Sequence, residues 1–223
     1  MAKAIQVLKR ERVLRRSFAY VIGLFFGAFG VALAVNSELG VSPVNSYAFF
    51  LSRLFDLYMG VCIAIILSFF VLTQILLLRR EFQWFNLLQI PTAFLLGYFV
   101  DLANFLLGDF RLPTYFGQLA MTGISIVLIA TGILLYTGVR FFPIPPAEAL
   151  VVALAYKFDM PFHKVKVLLD STFVGAGIVL SLIFLGGLYG VREGTILSAV
   201  FIGRLMPYIE RWLGPLLVRL GVR

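Results

Sequence analysis

The chain has 223 residues, 61% of them hydrophobic and only 13% charged, with a mean hydropathy of +0.99; a soluble domain carries about 25% charged residues, so the composition is that of an integral membrane protein. One cysteine, Cys62, and one histidine, His163, exclude an intrachain disulfide and a thiolate or multi-histidine metal centre. The net charge of +8 does not point to nucleic acid, because six of the 19 basic residues lie in the first 16 positions and most others flank apolar runs, the pattern of membrane topogenesis.

In chain order, residues 1–16 read as a basic cytoplasmic N-terminus leading into an apolar run from Phe18 to Val35. That run is too long for a signal peptide and leads into no small-residue cleavage site, so an uncleaved first helix is expected. Six stretches are long enough to span the hydrocarbon core: roughly 17–37, 59–78, 85–107, 116–138, 165–188 and 195–218. Two further helical segments, Pro43 to Phe55 and Pro145 to Phe158, are too short to cross, at about 20 Å each. Each opens with proline after a stretch that resists helix, 36–42 and 138–144. Pro91 and Pro207 mark candidate kinks, and Gly23 and Gly27 form a GxxxG pattern that permits close helix contact, within the monomer or in a homodimer.

The two halves repeat. Gly30 and Pro43 overlay Gly132 and Pro145 at an offset of 102, Ser68–Val71 overlays Ser171–Val174 at 103, and Gly97 and Gly108 overlay Gly203 and Gly214 at 106. Residues 17–108 thus form one membrane repeat and 116–214 a second, with 215–223 as a C-terminal tail. The fold class is all-α: a polytopic bundle of six transmembrane helices plus two re-entrant half-helices. The basic residues favour inverted over parallel copies. With inverted copies the Arg79-Arg80 loop, Arg140, the Lys157–Lys166 turn and both termini are cytoplasmic, leaving Arg53, Arg111 and Arg192 outside.

In the inverted arrangement the two half-helix N-termini face each other at mid-membrane, where unpaired N–H groups and dipoles suit an anion. The breaks before them should line a cavity, since irregular backbone at membrane depth needs cover. Ser42, Pro43, Asn45 and Ser46 at the first start and Pro145, Ala147 and Glu148 at the second are therefore candidate substrate-binding residues, with Phe141 and Phe142 closing one side. Their plainer role is capping. Glu148 either stabilises the dipole or, like Asp170, couples transport to protons. Arg204 lies about ten residues into the last span, as a substrate ligand, a partner of Glu148 or half of a structural pair.

Leu39-Gly40-Val41-Ser42-Pro43 after a first span, and Arg192-Glu193-Gly194-Thr195 leading into a final span with Gly203, resemble the LGxSPW and GxGT elements of the bacterial YczE/YitT-like integral membrane proteins. Val44 stands where that family often has tryptophan. The resemblance implies a multi-pass protein of the bacterial cytoplasmic (inner) membrane and says little about substrate. No Ser-His-acid set or paired carboxylates point to catalysis, so we expect neither an enzyme nor a cofactor. The expected function is a transporter, carrier or channel, for a small anionic solute, with the lipid bilayer and the solute as partners. A substrate-binding subunit similar to the S-components of energy-coupling transporters, or a non-transporting accessory protein, are the alternatives.

Overall fold

The computed structural model describes residues 2–139, 142–187 and 191–219, and these form an all-helical membrane bundle. Its α-helices are α1 Ala2–Asn36, α2 Pro43–Phe55, α3 Met59–Leu78, α4 Gln89–Leu107, α5 Tyr115–Gly138, α6 Pro146–Lys157, α7 Phe162–Leu185 and α8 Glu193–Arg219. The basic N-terminal segment is helical and forms the first part of α1, which begins at Ala2. Among the described residues five helices are long and apolar enough to cross a membrane: Val13–Asn36, Met59–Glu81, Trp84–Leu107, Tyr115–Gly138 and Lys164–Phe184. The sixth expected span, 195–218, is helical as α8, but Arg204, Glu210 and Arg211 interrupt its apolar run and it is not among the five. Pro91 is the third residue of α4, directly behind the 3-10 helix Trp84–Leu88; Pro207 lies inside α8.

The centre of the bundle is the contact between α1 and α5, which run antiparallel. Gly23 faces Gly132, Leu135 and Tyr136, and seven residues on, Gly30 faces Ser125 and Ile129. A Cβ built on Gly132 would lie 2.6 Å from both the Gly23 carbonyl oxygen and the Gly27 nitrogen, so only glycine permits this approach. Gly23 of the GxxxG pattern is thereby used within the monomer, while a Cβ on Gly27 would meet nothing within 4 Å.

Around this axis the helices pair in an exchanged way. The short α2 packs against α7 of the other half and against α3, while the short α6 packs against α3 of the other half and against α7. Likewise α1 packs on α4 and α5 on α8. One pairing is not matched: α3 and α4 lie together along their length, from the backbone contact of Gly60 with Gly97 to the Gln74–Gln89 pair, whereas α7 and α8 barely touch.

The break before α6 is held by buried side chains. The Tyr20 hydroxyl donates to the Pro143 carbonyl at 3.1 Å and lies 3.4 Å from Thr92 Oγ1. Gln74 and Gln89 exchange amide hydrogen bonds at 3.1 and 3.3 Å, and Gln74 Nε2 also donates to the Pro146 carbonyl at 3.3 Å. The Pro143 carbonyl lies in the break and belongs to no helix, whereas the Pro146 carbonyl opens α6 and takes the Gln74 amide as an additional donor.

Two stability outcomes follow from this packing. Gly132→Ala should cost about 1–3 kcal/mol through overpacking against backbone, while Gly27→Ala, whose Cβ meets nothing within 4 Å, should melt close to the parent in detergent. Gln74→Leu should cost about 1–3 kcal/mol because it leaves the Gln89 amide unpaired, and adding Gln89→Leu should recover part of the loss; thermal unfolding of the two variants checks this.

Candidate functional site

The starts of α2 and α6 approach the same stretch of α7. Ser46 Oγ would sit 3.3 Å from a Cβ on Gly177, and the Tyr47 ring packs edge-on to Phe173 at 5.4 Å between centroids. From the other side Glu148, in the first turn of α6, lies within the electrostatic reach of Lys166 and Asp170. Asp170 and Phe173 are three residues apart, about 4.5 Å along a helix axis. Helix α3 gives the same ordering, with Phe70 stacked on Phe173 at 5.4 Å and Gln74 bound to the Pro146 carbonyl.

At the start of α2 the polar side chains do not cap the helix in the expected way. Ser42 is the N-cap residue, but its side chain accepts no backbone N–H; Oγ instead accepts from Asn45 Nδ2 at 2.8 Å. Ser46 Oγ donates back to the Pro43 carbonyl at 2.6 Å. The Val44 and Asn45 amides are thus left without a side-chain cap.

The start of α6 is built differently. Glu148 is half-buried, accepts from the Tyr136 hydroxyl at 3.3 Å and bonds its own backbone N–H, so its carboxylate already occupies the positive end of α6. Beside it Lys166 Nζ donates to Asp170 Oδ1 at 2.9 Å, with Asp170 buried. The local balance is two carboxylates against one ammonium. Pro145, buried, and Ala147, half-buried, flank Glu148. Phe142 packs on Tyr20 at 4.8 Å, while Phe141 lies outside the described residues.

Arg204 is elsewhere. It is exposed on the outer side of α8, makes no ion pair with Glu148, and lines a groove formed by α8 residues alone. The starts of α2 and α6 thus lie against the same helix, Ser46 and Tyr47 beside Gly177 and Phe173 and Glu148 beside Lys166 and Asp170, with Arg204 apart from both. The linear sequence marks Gln74 and Gln89 only as packing hydrogen-bond groups and Lys166 only as part of a basic turn, and it does not single out Tyr20 or Tyr136. Their signal was present as polar residues inside apolar runs, although nothing in the linear sequence says that they meet at one break.

The segment before α2 is locked to the start of α8. The Gly194 N–H donates to the Leu39 carbonyl at 2.7 Å, and the Arg192 guanidinium donates to the Glu38 carbonyl at 3.0 Å. Gly40 has φ +98°, and a Cβ there would lie 2.6 Å from Thr195 Oγ1 and 2.7 Å from the Arg192 nitrogen, so glycine is required twice over. Glu38 is in turn paired with Arg111 at 2.7 Å.

No solved structure matches the chain. The uncharacterized membrane protein YczE of Bacillus subtilis (strain 168) is 29% identical over 206 residues, 90% of this chain and 87% of that protein. The uncharacterized protein YyaS of the same organism is 29% identical over 198 residues, 86% of this chain and 92% of that protein. The pattern described as "Family of unknown function (DUF6198)" matches residues 14–211, and with the spans and the two interlocked motifs inside that range, the chain belongs to this family of membrane proteins.

Proposed function

We propose that the protein is a transporter, carrier or channel, of the bacterial cytoplasmic membrane, built from two inverted repeats whose short helices α2 and α6 re-enter from opposite faces. The observation that carries this reading is the exchanged packing: α2 sits on α7 and α6 on α3, and their starts come to neighbouring levels of α7. Such half-helix starts at the junction of two repeats are where secondary transporters place substrate and coupling ions. The chemistry of the two starts divides the work. The uncapped amides of α2 suit the anionic group of a small solute, whereas the α6 start is already filled by Glu148, which serves as the group that takes up and releases a proton beside the Lys166–Asp170 pair. One observation bears on the S-component-like alternative, a binding subunit docked on a separate motor: Gly203, on the outer side of α8, has nothing within 4 Å of its Cβ, a point at which another helix could approach.

Two measurements test the reading. In a Cys62→Ala background, single cysteines at Arg80 and at Lys164 should react with a membrane-impermeant maleimide only from the cytoplasmic side; reaction of the Arg80 position from outside removes the inverted arrangement. Purified protein in vesicles, presented with a panel of small inorganic and organic anions, should take up at least one without any added ATPase. Glu148→Gln should abolish acceleration of that uptake by a proton gradient while leaving equilibrium exchange. Uptake that needs a separate motor favours the binding-subunit alternative.

A further inference from the structure

The repeat overlay exposes an asymmetry in how the two halves are sealed. In the first half the seam between α3 and α4 is shut: Gly60 and Gly97 are in backbone contact and Asp101 Oδ1 accepts from the Gly60 N–H at 2.7 Å. The residue that overlays Gly97 at the offset of 106 is Gly203, and it has no neighbour within 4 Å of its Cβ. Asp101 overlays Pro207, so the carboxylate that fastens the first seam has no counterpart in the second. The seam between α7 and α8 is correspondingly open.

On the outward side of α8 sits Arg204. It is the twelfth residue of the 27-residue α8. That helix runs alongside the whole of α5: its start is bonded to Leu39, and Leu217 packs among Ala19, Tyr20 and Val139 at the other end. The guanidinium is therefore placed near mid-depth and on the outside, where a permanent charge facing lipid is costly without an anion. The groove around it, of about 530 Å³, is lined by Phe201, Leu205, Pro207 and Tyr208. A fixed cation flanked by aromatic and aliphatic surface, reachable sideways from the bilayer, matches a molecule with an anionic head and an apolar tail.

We propose that this groove binds the anionic head of an amphiphile, a phosphate or carboxylate carried on a lipid-like tail, which reaches it sideways from the bilayer. The inference rests on the transporter reading: the anionic group received at the α2 start is taken to be this head, with Arg204 as its first contact from the lipid side. Recognition depends on charge and on the tail together: Arg204 holds the head, and Phe201, Leu205 and Tyr208 hold the first part of the tail.

Binding is tested apart from transport. In a neutral detergent, phosphatidylglycerol should raise the melting temperature, and phosphatidylcholine and soluble glycerol 3-phosphate should not. Arg204→Gln, a change at an exposed side chain, should fold with an unchanged melting temperature in detergent alone and lose the phosphatidylglycerol shift; Arg204→Lys should keep part of it. Equal shifts from both lipids, or a full shift in Arg204→Gln, overturn the proposal. A shift from glycerol 3-phosphate alone means that the site takes a water-soluble anion, which also overturns it. In vesicles, tail-labelled phosphatidylglycerol should exchange between leaflets faster with the protein than with Arg204→Gln. Uptake of small anions with no lipid exchange would leave the transporter reading standing and remove this one.

Discussion

The structure depends on one close approach, that of α1 to α5. Two antiparallel helices can bring their backbones together only where side chains are absent from the contact, and Gly23, Gly30 and Gly132 clear that path. In a bilayer, burial of apolar surface gives little net drive for helices to associate, because the lipid tails are as apolar as the side chains; packing and backbone proximity do the work instead. Because the two helices occupy equivalent places in the repeat overlay, their contact fixes how one half lies against the other. The exchanged seats of α2 on α7 and α6 on α3 then have defined positions.

The two breaks illustrate two ways of solving one problem. A chain that leaves its helix inside a membrane exposes carbonyl and amide groups that lipid cannot satisfy. Before α6, buried side chains supply the partners, with Tyr20 reaching Pro143 and Gln74 reaching Pro146. Before α2, backbone supplies them, since Leu39 is bonded to Gly194 and Gly40 lies against Thr195. The second solution needs glycine at Gly40 and Gly194, where any side chain would collide with the opposing segment. This explains why the two short sequence elements that carry the family resemblance, Leu39–Pro43 and Arg192–Thr195, occur together: they are two sides of one joint.

The proposed transporter also gains an asymmetry from unequal side chains on equivalent scaffolds. The α6 start holds its own carboxylate, whereas the α2 start has only short hydroxyl and amide groups that bond each other. Similarly, the shut seam has Asp101 and paired glycines, and the open one has Pro207 and a solitary Gly203. Two halves with the same path can in this way carry different chemistry without changing the bundle.

The sequence by itself determined the membrane class and the limits of most helices. These are set by local properties: the length of an apolar run, a proline at a helix start. Met59–Leu78 and Pro43–Phe55 have the expected bounds for that reason. Tertiary structure decided the rest. Glu148 and Arg204 are both charges inside apolar surroundings, and linear sequence suggests that they pair; the rotation of α8 about its axis places Arg204 outside and leaves Glu148 to Tyr136. The same holds for Gln74, Gln89 and Tyr20, which read as ordinary packing polar groups until the chain brings a broken backbone to them. Which face a helix turns inward depends on contacts between segments far apart in sequence, and only the assembled bundle contains them.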